Sequence, residues 1–300
     1  MARHNYVKGY CIQLGDGNNW WITGYEDSIK YADIFSEIMK LNECPMNEYP
    51  KIVFFNSSNS DQLNENTIRS ILPNSETEWK AYDYNACRIW YGVQSNDVIV
   101  EYKSQEPSKD DKYTVMWITL CFVYLKCLKI GALPTHSGLA EYNGKGVLFV
   151  APGGTGKSTT CRRLPSPWKS LCDDENLIMP DKDNKFRVHP FPTWSDYFWD
   201  RAKNKWDIHK SVPLSAIFFL ERADNDEVVQ LPKDKSSIYM TGTAYQVFAK
   251  AIIRMSKDEQ TAIMRQVFNN AFDILKSVPV YKLSISLTGR FWEKIEQVLI

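Results

Sequence analysis

The sequence predicts an α/β protein of mixed, α+β sheet type, and three observations carry that expectation. Short β-like runs recur through residues 1–102, a glycine-rich loop joins an apolar run to a helical one, and amphipathic helices alternate with a strand towards the C-terminus. A chain of 300 residues is long enough to bury a sizeable core in one domain or two.

Residues 1–102 read as a β-rich N-terminal module, with strand-like runs at Tyr6–Leu14, Trp20–Thr23, Ile52–Phe55, Arg88–Tyr91 and Val98–Tyr102. One helix interrupts them: Ser28–Leu41 carries Ile29, Ala32, Ile34, Phe35, Ile38 and Met39 near helical spacing, with Asp27 or Ser28 as its cap. The polar stretch Lys103–Lys112 reads as an exposed connection, which places a second domain over residues 113–300. A mostly apolar helix is expected from Tyr113 to Ile130, broken by the segment from Gly131 to Pro134. Leu139–Tyr142 and Gly146–Val150 form a predicted hairpin around Asn143-Gly144, because that dipeptide accepts the positive φ values of a two-residue turn. A short helix ending at Leu164, strands near Cys172 and at Ala216–Leu220, helices at Ala244–Ile253, Asp258–Leu275 and Phe291–Leu299, and a strand at Val280–Leu287 complete the expectation.

Charge excludes some classes of partner. Lys plus Arg and Asp plus Glu are equal at 36 each, so no overall field draws the chain to nucleic acid or to an anionic membrane. The longest apolar run, Thr114–Leu125, is followed by Lys126 and Lys129 and suits a buried helix better than a bilayer span. The N-terminal residues carry no apolar signal stretch. Seven cysteines without a Cys-x-x-Cys pair signal neither a disulfide framework nor a zinc site, and they read as reduced thiols in a cytoplasm. The ten tryptophans read as core fillers, with a peptide-binding surface as the alternative.

Chemistry concentrates in Ala151-Pro-Gly-Gly-Thr-Gly-Lys-Ser158, which has the spacing of a P-loop between a predicted strand and a predicted helix. Gly153, Gly154 and Gly156 let successive backbone N–H groups turn inward around a phosphate chain. Lys157 is placed to reach the β- and γ-phosphates, and the Ser158 hydroxyl is placed to bind Mg²⁺. Ala151 stands where the motif begins with glycine, and its small side chain still permits the loop. The bland alternative is a glycine turn with an incidental lysine.

Two further stretches matter because they flank this loop. In Leu171-Cys-Asp-Asp-Glu-Asn-Leu177, adjacent carboxylates can divide the work, one on Mg²⁺ and the other accepting the proton of an attacking hydroxyl. Read alone, the same residues make an ordinary solvated turn or a helix cap. His136, in Thr135-His-Ser-Gly138, is either a structural histidine or an imidazole returned to the phosphate end of the sheet.

Thr135-His136, Gly146–Val150, Gly153–Ser158 and Asp173-Asp174 together resemble the catalytic core of the HPr serine kinase/phosphorylase family, which shares its P-loop architecture with ATP-dependent phosphoenolpyruvate carboxykinases. Cys161-Arg-Arg-Leu-Pro165, Cys172-Asp-Asp-Glu175 and Val188–Asp196 resemble a divergent branch, the ScmC proteins of the SynChlorMet peptide-modification cassette; similar kinases occur beside lasso-peptide precursors. The resemblance implies an ATP-dependent kinase acting on a hydroxyl, serine by preference, of a peptide or protein. It implies ATP held by Gly153, Gly154, Thr155, Gly156, Lys157, Ser158 and Thr159, and metal at Ser158 and Asp174. The base is then Asp173 or Asp174, with Asp173 preferred, and His136 lies near the transferred group. The Arg-Gly-rich segment that follows the aspartates in HPr kinases is not found here, so an acceptor other than HPr is implied. His189 and Asp196 read either as part of a substrate loop or, given Pro190 and Pro192, as a rigid connection. The resembled kinases assemble as oligomers, so a homo-oligomer is an expectation as well. A small-molecule hydroxyl kinase and a non-catalytic ATP-binding partner of a peptide-modifying enzyme stay open beside this reading.

Overall fold

The computed structural model describes residues 8–15, 17–57, 63–72, 75, 77–104, 106–201 and 205–299. Among them lie two mixed β-sheets and eight α-helices, a mixed α/β architecture. The chain divides into two compact units. One takes Met1–Lys126, Trp194–Lys205 and Lys250–Met255; the other takes Cys127–Thr193, Trp206–Ala249 and Ser256–Ile300.

In the first unit the elements are β1 (Tyr10–Gln13), β2 (Asn19–Gly24), α1 (Ile29–Met39), β3 (Asn42–Glu43), β4 (Lys51–Asn56), α2 (Glu65–Ile71), β5 (Trp79–Asp83), β6 (Cys87–Gly92), β7 (Val98–Tyr102) and α3 (Lys109–Leu128). The seven-stranded sheet runs β3-β1-β2-β4-β7-β6-β5, with β2, β4 and β7 parallel to one another. A strand covered on both faces is apolar at consecutive positions, and β4 obeys this. Phe54 meets Tyr31 and Phe35 of α1, while Val53 and Phe55 join Ile68 and Ile71 of α2 on the opposite face. The strand-like run at Tyr6–Leu14 is described only from Lys8 onwards, so Tyr6 and Val7 lie outside the described residues. Helix α2 and strand β5 were not among the expected elements. The polar stretch 103–112 runs into the first turn of α3 at Lys109.

One expectation is corrected here. Cys11 and Cys44 form a disulfide with Cα atoms 6.1 Å apart, so these two are not free thiols. The pairing of β1 with β3, which sets Cys11 opposite Asn42, brings together two cysteines separated by 33 positions. The other five cysteines are buried and lie outside this disulfide.

The second unit holds β8 (Leu133–Tyr142), β9 (Lys145–Val150), α4 (Lys157–Arg163), β10 (Lys169–Cys172), β11 (Glu175–Pro180) and β12 (Phe186–Phe191). The short helix α5 (Trp194–Phe198) belongs to the first unit. Then follow β13 (Val212–Arg222), β14 (Glu227–Gln230), α6 (Lys233–Ile252), α7 (Lys257–Ser277), β15 (Val280–Ile285) and α8 (Phe291–Val298). The β8–β9 hairpin turns at Asn143 and Gly144, whose φ values of 48° and 78° are those of the turn expected from that dipeptide. From β9 the sheet continues through β13 to β15, all parallel, with Leu148 beside Ile217 and Ile217 beside Val280. Phe149, Phe218 and Leu283 on these strands, Cys161 on α4, and Phe291 and Ile295 on α8 form one buried cluster.

β8 begins at Leu133, six residues before the expected strand, because its first half pairs with β11, which the sequence did not reveal. β12 was also unforeseen, and Pro190 explains why. A proline removes a ladder donor, yet β12 meets β13 only through Arg187 and Val188, so Pro190 needs no partner on that side. Among the described residues no helix is long and apolar enough to cross a membrane.

Candidate functional site

The site grows from the carboxyl ends of β9, β13 and β15, the edge of a parallel sheet where ligands collect in α/β proteins. Strand β9 ends at Val150 and the chain enters the 151–156 loop. Gly154 and Gly156 adopt φ values of 77° and 118°, a region that side chains rarely enter, so both need glycine for the backbone itself. A Cβ at position 153, 154 or 156 would meet nothing within 4 Å, which leaves the space in front of the loop clear. The loop is braced from β13: the Arg222 guanidinium donates through Nη2 to Gly154 O at 2.6 Å and through Nε to Thr155 O at 3.1 Å.

Helix α4 starts at Lys157, which is 6% exposed and donates from Nζ to Ala151 O at 2.8 Å. Burial pulls the Lys157 ammonium below its ordinary pKa, and the charges of Asp174 and Asp173 act against that pull. Ser158 beside it is half-buried and Thr159 is exposed.

Strand β8 brings His136 to the same place, opposite Glu175 of β11. Its Nδ1 lies 3.5 Å from Asp174 Oδ1. Burial, and then the Lys157 charge, hold the imidazole down to about 4, so at pH 7 this contact is between a carboxylate and a neutral ring rather than an ion pair. Asp173 accepts a hydrogen bond from Thr193 Oγ1 at 2.9 Å. Asp174 sits in the turn between β10 and β11, where its carbonyl accepts from Ser137 N at 2.8 Å. Behind His136, the buried Asn176 donates to Ser137 O at 2.6 Å, and the Thr135 and Ser137 hydroxyls share a hydrogen bond of 2.8 Å. This polar layer fixes the backbone on either side of His136. Asn270 of α7 adds a second anchor, donating to Leu128 O and Ala132 O just before β8.

Thus Lys157, His136, Asp173 and Asp174, named from sequence, converge in one part of the second unit, and Gly153, Thr155 and Ser158 line the loop beside them. His189 does not join them as part of a loop. It lies in β12, 3% exposed, with Nδ1 2.6 Å from Ile208 O, and burial lowers its pKa to about 4. Asp196 lies in α5 of the first unit. Sequence reasoning assigned no role to Thr193 or Arg163, although both lie in stretches that resemble the ScmC branch, and it did not reach Arg222. Their partners are distant in the chain: Arg163, for instance, donates to Ser286 O at 2.8 Å and Gly289 O at 2.7 Å. Cys161 and Cys172 near the acidic turn are buried neutral thiols, both pushed up by burial and Cys161 to about 12.

For a divalent cation, no three His, Cys, Asp or Glu side chains gather among the described residues. Ser158 and Asp174 could instead hold Mg²⁺ through one or two protein oxygens, completed by phosphate and water, the usual mode of that ion. No curated protein matches the chain. Residues 98–300, which include every residue of the site, match the family of SynChlorMet cassette protein ScmC, and the chain belongs to that family.

Proposed function

We propose that this protein is an ATP-dependent kinase that transfers the γ-phosphoryl group to a hydroxyl, serine by preference, of a peptide handled by a peptide-modification cassette. The observation that carries the reading is the convergence of a buried lysine, a pair of aspartates and a histidine on a glycine loop whose front is open. The cassette named in the family description supports a peptide acceptor.

Phosphoryl transfer asks the protein for positioning and charge neutralisation more than for covalent chemistry. The backbone N–H groups of 153–158 would hold the phosphate chain, and Lys157 would turn from Ala151 O to the β- and γ-phosphates. Mg²⁺, when bound at Ser158 and Asp174, supplies further neutralisation of the phosphate oxygens. Asp173 would take the proton of the attacking hydroxyl as its oxygen bonds to the γ-phosphorus and ADP leaves. Thr193, bonded to one carboxylate oxygen of Asp173, leaves the other to face the acceptor. The neutral His136 imidazole would orient Asp174 and its neighbours without adding charge.

The test is incubation of the protein with γ-labelled ATP, Mg²⁺ and serine-containing peptides from its own cassette. Label on a peptide hydroxyl that disappears in the Asp173→Asn, Asp174→Asn double variant is the expected result. Undiminished transfer by that variant would overturn the mechanism. ATP binding without turnover in the presence of peptide would favour an ATP-binding partner of a modifying enzyme.

A further inference from the structure

Thr193 lies just past the end of β12, where the antiparallel register of β11 and β12 continues. Phe191 stands opposite Glu175, so the same register carried on sets Thr193 opposite Asp173. The Cys172 thiol, 3.1 Å from Phe191 O, ties the two segments together at this point. Thr193 is 4% exposed, and its Oγ1 donates to Asp173 Oδ1 at 2.9 Å. A hydroxyl of the chain itself therefore already rests on the aspartate proposed as the base.

Neighbouring hydroxyls are directed elsewhere. Those of Thr135 and Ser137 bond to each other, and Thr160 donates to Gly156 O at 3.0 Å. The Asp173 charge is felt by both Lys157 and His136, so Thr193 belongs to the same constellation as the glycine loop. Its bond to Asp173 meets the first demand on an attacking hydroxyl, a general base within hydrogen-bond reach. Because this hydroxyl is part of the chain, it also avoids the entropic cost of bringing a separate acceptor into place.

Resting on the reading of this site as that of an ATP-dependent kinase, we infer that Thr193 is an internal phosphoryl acceptor, modified by its own chain when no peptide is bound. Thr193 Oγ1 bonds to the γ-phosphorus of ATP and its proton passes to Asp173. The bond between the γ-phosphorus and the β,γ-bridging oxygen breaks, and that oxygen leaves with ADP. The transferred group then lies against the acidic pair, which limits the reaction to one phosphoryl group per chain.

The experiment is incubation of the full chain with γ-labelled ATP and Mg²⁺ in the absence of peptide. Tandem mass spectrometry maps the label, and the Tm shift given by Mg·ATP is measured in parallel. Phosphothreonine at position 193 should form with a rate constant that stays the same over about a 10-fold range of protein concentration, as transfer within one chain requires. Thr193→Val should remove this label and Thr193→Ser should keep it. Asp173→Asn should slow its formation about 10²-fold, the scale of general-base loss, while keeping the Tm shift. A wild-type Tm shift with no label at position 193, or a rate constant proportional to protein concentration, would overturn the internal acceptor and leave the kinase reading standing. Absence of any Tm shift with Mg·ATP would overturn the nucleotide reading, and the internal acceptor with it.

Discussion

Replacing Lys157 by alanine separates phosphate binding from folding, and its size can be worked from the site. The side chain is buried, and its bond within the protein is to Ala151 O at 2.8 Å. Without nucleotide, the loss of that bond and the removal of a buried charge oppose each other, so the unliganded stability should move by no more than about 1 kcal/mol. With Mg·ATP at 100 times its Kd, the wild type should gain about 2.7 kcal/mol by mass action. For a unit of this size that corresponds to a Tm rise of roughly 5–10 °C, at about 2–4 °C per kcal/mol. Loss of charged hydrogen bonds to phosphate should cost about 2.7 kcal/mol, or about 100-fold in Kd. At the same nucleotide concentration the variant is then only half saturated and should gain about 0.4 kcal/mol, a shift of roughly 1 °C. Differential scanning fluorimetry with and without Mg·ATP reads both numbers. A folded Lys157→Ala protein with the full wild-type shift would refute the assignment of this loop to phosphate.

The acidic turn and its neighbours give further tests. Asp173→Asn should bind ATP within a few-fold of wild type yet transfer phosphoryl groups about 10²-fold more slowly, whereas Asp174→Asn should also raise the Mg²⁺ concentration needed for half-maximal rate. Equal rates in all three proteins would remove the aspartates from the mechanism. Thr193→Val deletes the hydroxyl that holds one oxygen of Asp173, so kcat should fall about 10-fold while KM for ATP stays put, and Thr193→Ser should restore the rate. An unchanged kcat would make Thr193 a packing residue. His189, at about 4, is below the ordinary value near 6.5, so the unfolded chain binds its proton first on acidification. Its contribution is fully present above pH 6.5 and is lost as pH falls towards 4, at up to about 1.4 kcal/mol per pH unit. His189→Gln should flatten the stability profile in that window, as denaturant titrations at several pH values would show, and an identical slope would count against a buried neutral ring.

What was legible in the sequence is what short-range chemistry controls. The 151–158 loop needs glycine where φ is positive, the Asn143-Gly144 turn needs residues that tolerate left-handed backbone, and α1, α7 and α8 announce themselves by apolar spacing, so each could be placed from neighbouring residues alone. The β4 run was equally clear because a strand buried on both faces is apolar without interruption, and β7 follows the same pattern except at Glu101. Tertiary structure decided everything that depends on residues far apart in the chain. It closed Cys11 onto Cys44 through strand pairing, extended β8 back through His136 by giving it β11 as a partner, and moved His189 from an expected loop into a strand whose proline needs no partner. It also set Thr193 against Asp173 and Arg222 against the glycine loop, and opened a cavity between three strand ends. Periodicity and turn chemistry report the local energy of a segment, whereas these contacts arise only when the sheet fixes the register between segments. That is why the loop and its carboxylates could be named in advance, while the residues that hold them in place could not.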